Sequence, residues 1–358
     1  MVIARSLPGR TTKQSLMKVI YRMVLNILEK AVDKITSGKK ITLSEALKIS
    51  EQARGQKDLF FLLAYANLLR EEFKGKVIDL CSIINAKSGA CPEDCIFCAQ
   101  SSRYRTKIEK YPFIAQKKIV QGAKSARDTG ADRFGIVISG RGIKGGKDLE
   151  KICEAITTIS QETDIGRCAS LGTLTHEAAK QLKSAGLERY HHNLETSEKY
   201  FPRVCTTHSY QERVETLKVA RNNGLSVCSG GIFGLGEEMR DRLELAFYLR
   251  ELEVDSIPLN FLHPVPGTPA EHFTPLYPLE ILKTIALFRF VLPDKDIRIC
   301  GGRPVNLRSL QSLIYGAGAN AVMIGNYLTT LGRDPKEDLQ EIRDLRLVPG
   351  RGKAGIRD

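Results

Sequence analysis

Three cysteines on one short segment are the residues of this sequence with the clearest chemical use. Cys91, Cys95 and Cys98 stand within the stretch ACPEDCIFCAQ. Three soft thiolates at this spacing can hold three corners of a four-iron cubane, which leaves the fourth iron open for a substrate. The alternatives are a zinc loop, which normally has four closed ligands, and a disulfide framework. The spacing favours an open iron–sulfur cluster that acts on a bound molecule.

Length and cysteine count limit the class of protein. The chain has 358 residues with 42% hydrophobic content, enough for one large domain or two modest ones. Nine cysteines are an odd number in a long chain without a secretory signal, so we expect a reducing cytoplasm and no oxidised scaffold. No apolar run approaches the length that spans a bilayer, so no membrane role is expected.

The formal charge of +13 raises nucleic acid as a partner, but its distribution argues against one. Residues 1–28 carry five basic residues and no acidic one, and a second basic cluster runs from Arg343 to Arg357 in a Gly-rich tail. The middle of the chain has no basic and aromatic stripe that would stack bases. The acid-free start is read either as an organellar presequence or, since Met17 and Met23 follow, as an over-long gene start.

Hydrophobic periodicity predicts an α/β protein with a helical lead-in. Apolar residues recur at helical spacing from about residue 23 to 70, and β-branched runs then alternate with amphipathic segments. The predicted strands are Val77–Ile84, Arg133–Ile138, Gly166–Leu171, Arg189–Asn193, Ser226–Phe233, Ser256–Phe261, Ile297–Cys300 and Ala321–Ile324. Eight strands with intervening helices predict a (β/α)8 TIM-type barrel with an N-terminal helical extension, and a doubly wound open sheet is the alternative.

This reading divides the chain into three parts. Residues 1–70 form the basic arm and helical lead-in, residues 71–335 the barrel, and residues 336–358 a basic, flexible tail.

Four further cysteines fall on alternate predicted strands of the barrel. Cys81, Cys168, Cys228 and Cys300 lie on the first, third, fifth and seventh strands. Interior layers of such barrels are filled by side chains from alternate strands, so these thiols can converge and hold a second cluster. The alternative is that each is an ordinary buried cysteine. Cys153 and Cys205 are interpreted as structural or incidental.

Six ordered motifs between about residues 45 and 330 carry a family resemblance. They are NAKSGACPEDCIFCAQSSRY from Asn85, SLGTL from Ser170, HNLETS from His192, CSGGIFGLGE from Cys228, IPLNFL from Ile257 and RICGGR from Arg298. The cysteine triplet resembles the radical S-adenosylmethionine (SAM) enzymes, and the six motifs together resemble the biotin synthase family.

The resemblance implies a full barrel with a 4Fe–4S cluster loop after the first strand. In this family the open iron binds SAM, reductive cleavage of SAM yields a deoxyadenosyl radical, and an interior cluster supplies the sulfur that converts dethiobiotin to biotin. The implied partners are dethiobiotin, a flavodoxin or ferredoxin-type electron donor and a second copy of the chain. Such radical chemistry needs a dry cavity, which a packed barrel provides.

The resemblance also assigns roles to single residues. Phe97 and Ile232 would lie against the adenine, Asn193 and Glu195 would hold the ribose hydroxyls, and Ser139 and Gly140 would border the methionine end of SAM. Asn260, with help from Asn193, would bind the ureido ring of dethiobiotin.

The sequence departs from the family pattern at the second cluster, which commonly has three cysteines and an arginine around a 2Fe–2S centre. Cys168, Cys228 and Arg298 match, but the expected cysteine on the second strand is Gly135 here. Cys81 and Cys300 are thiols that the common pattern lacks. We therefore expect the four barrel cysteines to hold a four-iron auxiliary cluster, with Arg298 as a further candidate ligand.

Two other readings remain open at this point. One is a related radical SAM enzyme, similar to hydrogenase maturases or methylornithine synthase, that acts on a different small molecule. The other is a non-catalytic iron–sulfur carrier or a protein associated with nucleic acid.

Overall fold

A computed structural model describes residues 13–143 and 145–350, and the side chains of residues 13–23 lie outside this description. The strands are β1 Val77–Lys87, β2 Arg133–Ile138, β3 Gly142–Ile143, β4 Gly166–Ser170, β5 Thr173–Leu174, β6 Arg189–His191, β7 Ser226–Cys228, β8 Gly231–Phe233, β9 Ser256–Phe261, β10 Asp296–Ile299, β11 Ala321–Met323 and β12 Val348–Pro349. The helices are α1 Lys13–Thr36, α2 Leu43–Gln52, α3 Gln56–Lys74, α4 Gln116–Asp128, α5 Lys147–Glu162, α6 His176–Ser184, α7 Tyr210–Asn222, α8 Met239–Glu251, α9 Pro278–Val291, α10 Arg303–Leu307, α11 Leu313–Gly316 and α12 Pro335–Asp344.

Eight parallel strands close into a barrel, as the sequence predicts. The hydrogen-bonded ring runs β1, β2, β4, β6, β7, β9, β10 and β11, and β11 pairs back onto β1. Helices follow the strands and cover the outside, which is the arrangement that lets every parallel strand bury both faces. The short pair β3 and β5 lies at the ends of β2 and β4, beside the mouth of the barrel.

The fifth position of the barrel is divided into β7 and β8, where the sequence predicts one continuous strand from Ser226 to Phe233. At Gly230 the backbone passes so close to the next strand that a Cβ atom would lie 1.9 Å from the carbonyl oxygen of Pro258. The strand therefore bends at a residue that has no side chain, and β8 continues along β9.

The helical lead-in packs on one side of the barrel. The helix α2 begins with a capping box, in which Thr42 and Glu45 each bind the other's backbone amide. The helix α3 packs along α9, and α2 packs against α8. Among the described residues, no helix is long and apolar enough to cross a membrane.

The end of the chain differs from the predicted flexible tail. The helix α12 reaches Asp344, and β12 pairs with the first residues of β1. Asp338 accepts two hydrogen bonds from Arg303, at 2.8 and 2.7 Å, and both side chains are fully buried. The segment is basic in composition, so its sequence gives little sign that Asp338 is buried. The partner of Asp338, Arg303, lies 35 residues earlier. Residues 351–358 of the predicted tail lie outside the described residues, as do residues 1–12 of the predicted arm.

Between the last two predicted strands the sequence pattern also predicts a helix over Arg308–Ala317, and this prediction is wrong. In its place are a 3-10 turn at Arg308–Leu310 and the short helix α11. Arg308 has a φ of 53°, a left-handed conformation that separates this turn from α10.

Candidate active site

A cavity of about 410 Å³ opens at the carboxyl ends of the barrel strands, and the three cysteines of the loop line it. The loop follows β1 and folds on itself. The Cys91 amide donates to the carbonyl of Gln100 (3.1 Å), the Ser102 amide donates to the carbonyl of Cys91 (2.7 Å), and the Cys98 amide donates to the carbonyl of Cys95 (2.9 Å). These backbone bonds bring all three thiols to one wall of the cavity.

The donor set of this loop fits a cubane cluster. Cys91 and Cys95 are each 8% exposed, and burial raises the pKa of Cys91 and brings that of Cys98 to about 11. A thiol in this setting becomes a thiolate readily only when a cation such as iron is bound. Arg213 offers an N–H group 3.9 Å from the Cys95 sulfur, which can stabilise the negative charge of a bound cluster.

Ser139 and Gly140, predicted to lie at the methionine end of SAM, follow β2 and line the cavity. The Ser139 hydroxyl donates to the carbonyl of Gly89 at 2.6 Å, two residues before Cys91. Gly89 has a φ of 76°, and a Cβ atom there would lie 2.7 Å from Lys110. Ser139 therefore positions the start of the cysteine loop.

Phe97 and Ile232, predicted to enclose the adenine, lie on one side of the cavity. Both line it, and both pack against the same small apolar cluster, which consists of Val204, Leu235, Leu262 and Ala270. An apolar side chain from the cysteine loop and one from β8 can thus both contact a flat ring.

Asn193 and Glu195, predicted to hold the ribose, follow β6 and line the same cavity. The Glu195 backbone has a φ of 72° and pairs with Gly231, since its carbonyl accepts from the Ile232 amide at 2.9 Å. Burial raises the pKa of the Glu195 carboxyl, and the nearby guanidinium of Arg213, 3.5 Å away, opposes this shift. The pair supplies an amide and a carboxylate, which suit two hydroxyl donors.

Asn260, predicted to bind the ureido ring, lies on β9 at the cavity wall. Its amide nitrogen donates to the carbonyl of Gly231 (3.2 Å), and its oxygen accepts from the amide of Gly301 (2.9 Å). These two bonds fix the orientation of the amide. One N–H group and one lone pair remain for a ligand.

The four barrel cysteines are brought into the interior beneath this cavity. Their exposed fractions are 4% or less, and Cys300, just after β10, also lines the cavity. Burial raises the pKa of each thiol, to about 12 for Cys228. Cys168 pairs in register with Gly135, where a Cβ atom would lie 3.9 Å from that of Cys168. Position 135 therefore faces the same interior space.

Arg298 lies among these thiols and is bound to Asp79. Its guanidinium donates to the Asp79 carboxylate, and both side chains are buried. Burial opposes the charge of Arg298, but Cys81 and Asp79 more than offset this effect and raise the pKa of the guanidinium well above its ordinary value. A fixed cation among four thiols can balance the negative charge of a thiolate-ligated cluster.

The interior also contains an imidazole without a partner for one of its nitrogens. His191 Nε2 is buried and has no hydrogen-bond partner, and the ring lines the cavity. Burial and the guanidinium of Arg189 lower the pKa of His191 to about 3, so the ring is neutral.

Sequence reasoning missed three residues beside the cysteine loop. Arg213 Nε donates to His208 Nε2 (2.9 Å), and His208 Nδ1 lies 3.3 Å from the sulfur of Cys205. Cys95, Cys205 and His208 each place a ligand atom within 4.8 Å of the others. The sequence CTTH, which begins at Cys205, was the available signal, because Cys and His three residues apart often share a site.

Comparison with known proteins is consistent with this geometry. The model of the radical SAM superfamily matches residues 86–249, and that of the biotin and thiamin synthesis associated domain matches residues 258–348. The biotin synthase of Geotalea uraniireducens (strain Rf4) is 52% identical over 322 residues, covering 90% of this chain and 97% of that protein. The biotin synthase of Geobacter sulfurreducens is 49% identical over 325 residues, covering 91% and 98%.

Solved structures with the same fold are more distant in sequence. Methylornithine synthase (PylB) superposes with a TM-score of 0.78 at 20% identity, over 90% of this chain and 97% of that one. The FeFe-hydrogenase maturase HydG from Carboxydothermus hydrogenoformans gives 0.74 at 19% identity, over 95% and 85%. At such identities the similarity shows the barrel fold alone.

Proposed function

The chain belongs to the biotin synthase family, and from this we propose that it inserts sulfur into dethiobiotin to form biotin. One observation carries the proposal: two separate sets of cysteines border one cavity, since Cys91, Cys95 and Cys98 line it and so does Cys300, one of the other four. A substrate in this cavity can meet both a radical and a sulfur donor.

In this proposal Cys91, Cys95 and Cys98 hold the 4Fe–4S cluster, and SAM binds in the cavity beside them. A cluster held there would supply the electron for reductive cleavage of SAM, and with it the radical chemistry that acts on dethiobiotin. The protein contributes position and the exclusion of water.

The residues around the cavity hold SAM by its separate parts. Asn193 and Glu195 accept the ribose hydroxyls, and Phe97 and Ile232 enclose the adenine. Gly140, which has no side chain, and the Ser139 backbone leave room for the methionine end.

Arg213 lies between Glu195 and Cys95, at 3.5 and 3.9 Å from their side-chain atoms. A guanidinium at this place can donate to the carboxylate of SAM, so we assign the binding of that carboxylate to Arg213.

Asn260 and Asn193 hold the ureido ring of dethiobiotin in this proposal. An amide donates and accepts at once, as a cyclic urea does, so one asparagine can bind both the N–H and the C=O of the ring. The two bonds to the backbone of Gly231 and Gly301 keep Asn260 in the orientation that this pairing requires.

Cys81, Cys168, Cys228 and Cys300 hold the auxiliary cluster, and we favour four irons because four thiolates are present where the common pattern has three. Arg298 acts as a counter-charge that Asp79 orients, and it is not needed as an iron ligand. Thiolate ligation without arginine lowers the reduction potential of a cluster.

We also propose a flavodoxin or ferredoxin-type electron donor, a homodimer and a cytoplasmic location. Small acidic electron carriers suit a chain with a formal charge of +13. Free thiols at both sites need a reducing compartment.

The test is an anaerobic assay with SAM, dethiobiotin and dithionite, scored for deoxyadenosine and biotin together. The proposal expects both products. Deoxyadenosine without biotin, in protein with both sites loaded with iron, would contradict it and favour a different small substrate.

A further inference from the structure

Cys205 lies directly behind the cysteine loop, and the radical reaction gives it no role. Its sulfur is within 4.8 Å of the Cys95 sulfur. Cys205 is 3% exposed. Two cysteines this close are a candidate for a covalent bond when no cluster occupies Cys95.

Hydrogen bonds join the two chain segments that carry these cysteines. The Ile96 amide, next to Cys95, donates to the carbonyl of Val204, next to Cys205, at 3.0 Å. The Asp94 carboxylate accepts from the Thr206 amide (2.9 Å) and from the Cys205 thiol (3.1 Å). These bonds hold the two segments side by side, which a disulfide between them requires.

The two sulfurs differ in their access to the cavity. Cys95 lines it, so a small oxidant that enters reaches this thiol first once the cluster has been lost. Cys205 approaches Cys95 from the protein side. Cys95 is thus a thiol that lines the cavity, with a resolving partner behind it.

We propose that Cys205 is a resolving thiol that captures oxidised Cys95 as a Cys95–Cys205 disulfide in enzyme that has lost its loop cluster. Hydrogen peroxide first oxidises Cys95: its O–O bond breaks, a sulfenic acid forms and one water leaves. The Cys205 sulfur then attacks the Cys95 sulfur, the S–O bond breaks and a second water leaves. Two thiols and one peroxide thus give one disulfide and two waters.

The disulfide has a consequence for repair. A sulfenic acid that is not captured is oxidised further to sulfinic acid, which thiol reductants do not restore. A disulfide is reduced by dithiols, so Cys95 becomes available again for a new cluster.

Peptide mapping of the wild-type full-length protein tests the bond directly. Protein with both clusters is treated with hydrogen peroxide, iron is removed, free thiols are alkylated, and the unreduced digest is analysed by mass spectrometry. We expect the Cys95 peptide joined to the Cys205 peptide. Cys95 joined to Cys91 or Cys98, or present as sulfinic acid beside an alkylated Cys205, would overturn the proposal. This readout does not involve biotin, so its failure is separate from failure of the proposed function.

Two variants test the protective role. Cys205→Ser keeps a hydroxyl for Asp94, and Cys153→Ser changes a half-buried cysteine on α5 and serves as the matched control. After peroxide and then dithiothreitol, wild type and Cys153→Ser should rebuild the loop cluster, while Cys205→Ser should recover at least ~5-fold less because Cys95 is over-oxidised. Equal recovery in all three proteins would refute the role, provided that all three load the cluster equally before oxidation.

Discussion

The two sets of cysteines use the same donor atom on different supports. Cys91, Cys95 and Cys98 lie on a loop whose shape is set by backbone hydrogen bonds and by the Ser139 hydroxyl, and all three face the cavity. The barrel cysteines lie on or next to strands, are nearly fully buried, and surround the charged pair of Arg298 and Asp79. A loop leaves a bound cluster open to a ligand, whereas alternate strands enclose one.

The largest effect is expected when a cluster ligand is removed from the cysteine loop. In Cys98→Ala we expect SAM cleavage to fall to background, because a cubane with two thiolates is not retained, while the iron of the barrel site stays. Deoxyadenosine release and Mössbauer spectra of the reconstituted variant measure the two effects. Cleavage at the wild-type rate would show that the loop is not the site of SAM chemistry.

Removing a barrel ligand should separate the two half-reactions. Cys300→Ala should lose biotin formation but retain deoxyadenosine release within about twofold, because the loop site does not depend on Cys300. The matched control Cys153→Ser should keep both products. A 2Fe–2S spectrum that persists in Cys300→Ala would rule out the four-cysteine ligand set.

Substitution of Asn260 tests whether dethiobiotin binds between the two sets of cysteines. Asn260→Ala removes about two hydrogen bonds to dethiobiotin, so the KM of dethiobiotin should rise about tenfold. The rise should be larger if the Gly301 amide, which loses its acceptor, shifts the cavity wall. The KM of SAM should stay near the wild-type value, which steady-state kinetics for both substrates can show. A rise confined to the SAM KM would assign Asn260 to the other ligand.

The smallest expected effect is a pH dependence at Glu195. Burial raises the pKa of this carboxyl, and only the carboxylate accepts both ribose hydroxyls. The affinity for SAM should therefore fall, and the KM of SAM should rise, as the pH is lowered through the raised pKa. In Glu195→Gln the KM should be higher throughout but independent of pH. A parallel slope in the variant would place the titrating group elsewhere.

The sequence predicted the barrel because strand and helix periods alternate clearly along it, and it predicted the cysteine loop because three ligands lie within eight residues. It did not predict α12, whose docking depends on the buried pair of Arg303 and Asp338. The break at Gly230 was also missed, because it results from the approach of Pro258 on the next strand.

The site residues that the sequence did not predict also depend on contacts between segments that are distant in the chain. Arg213 and Cys205 are more than 100 positions from the loop that they contact, so no local spacing joins them to Cys95. Only the closed barrel brings these segments together.

The pairing of β1 with β11 has a consequence for how the enzyme matures in a cell. The first strand, which contains Cys81, pairs with the strand that closes the barrel only when residues 321–323 have been synthesised. A ribosome must therefore have translated past residue 323 before the barrel can enclose the inner thiols. We expect iron and sulfide delivery to the inner site to act on a chain that has passed this point, and nascent chains stalled before it to emerge without metal at that site.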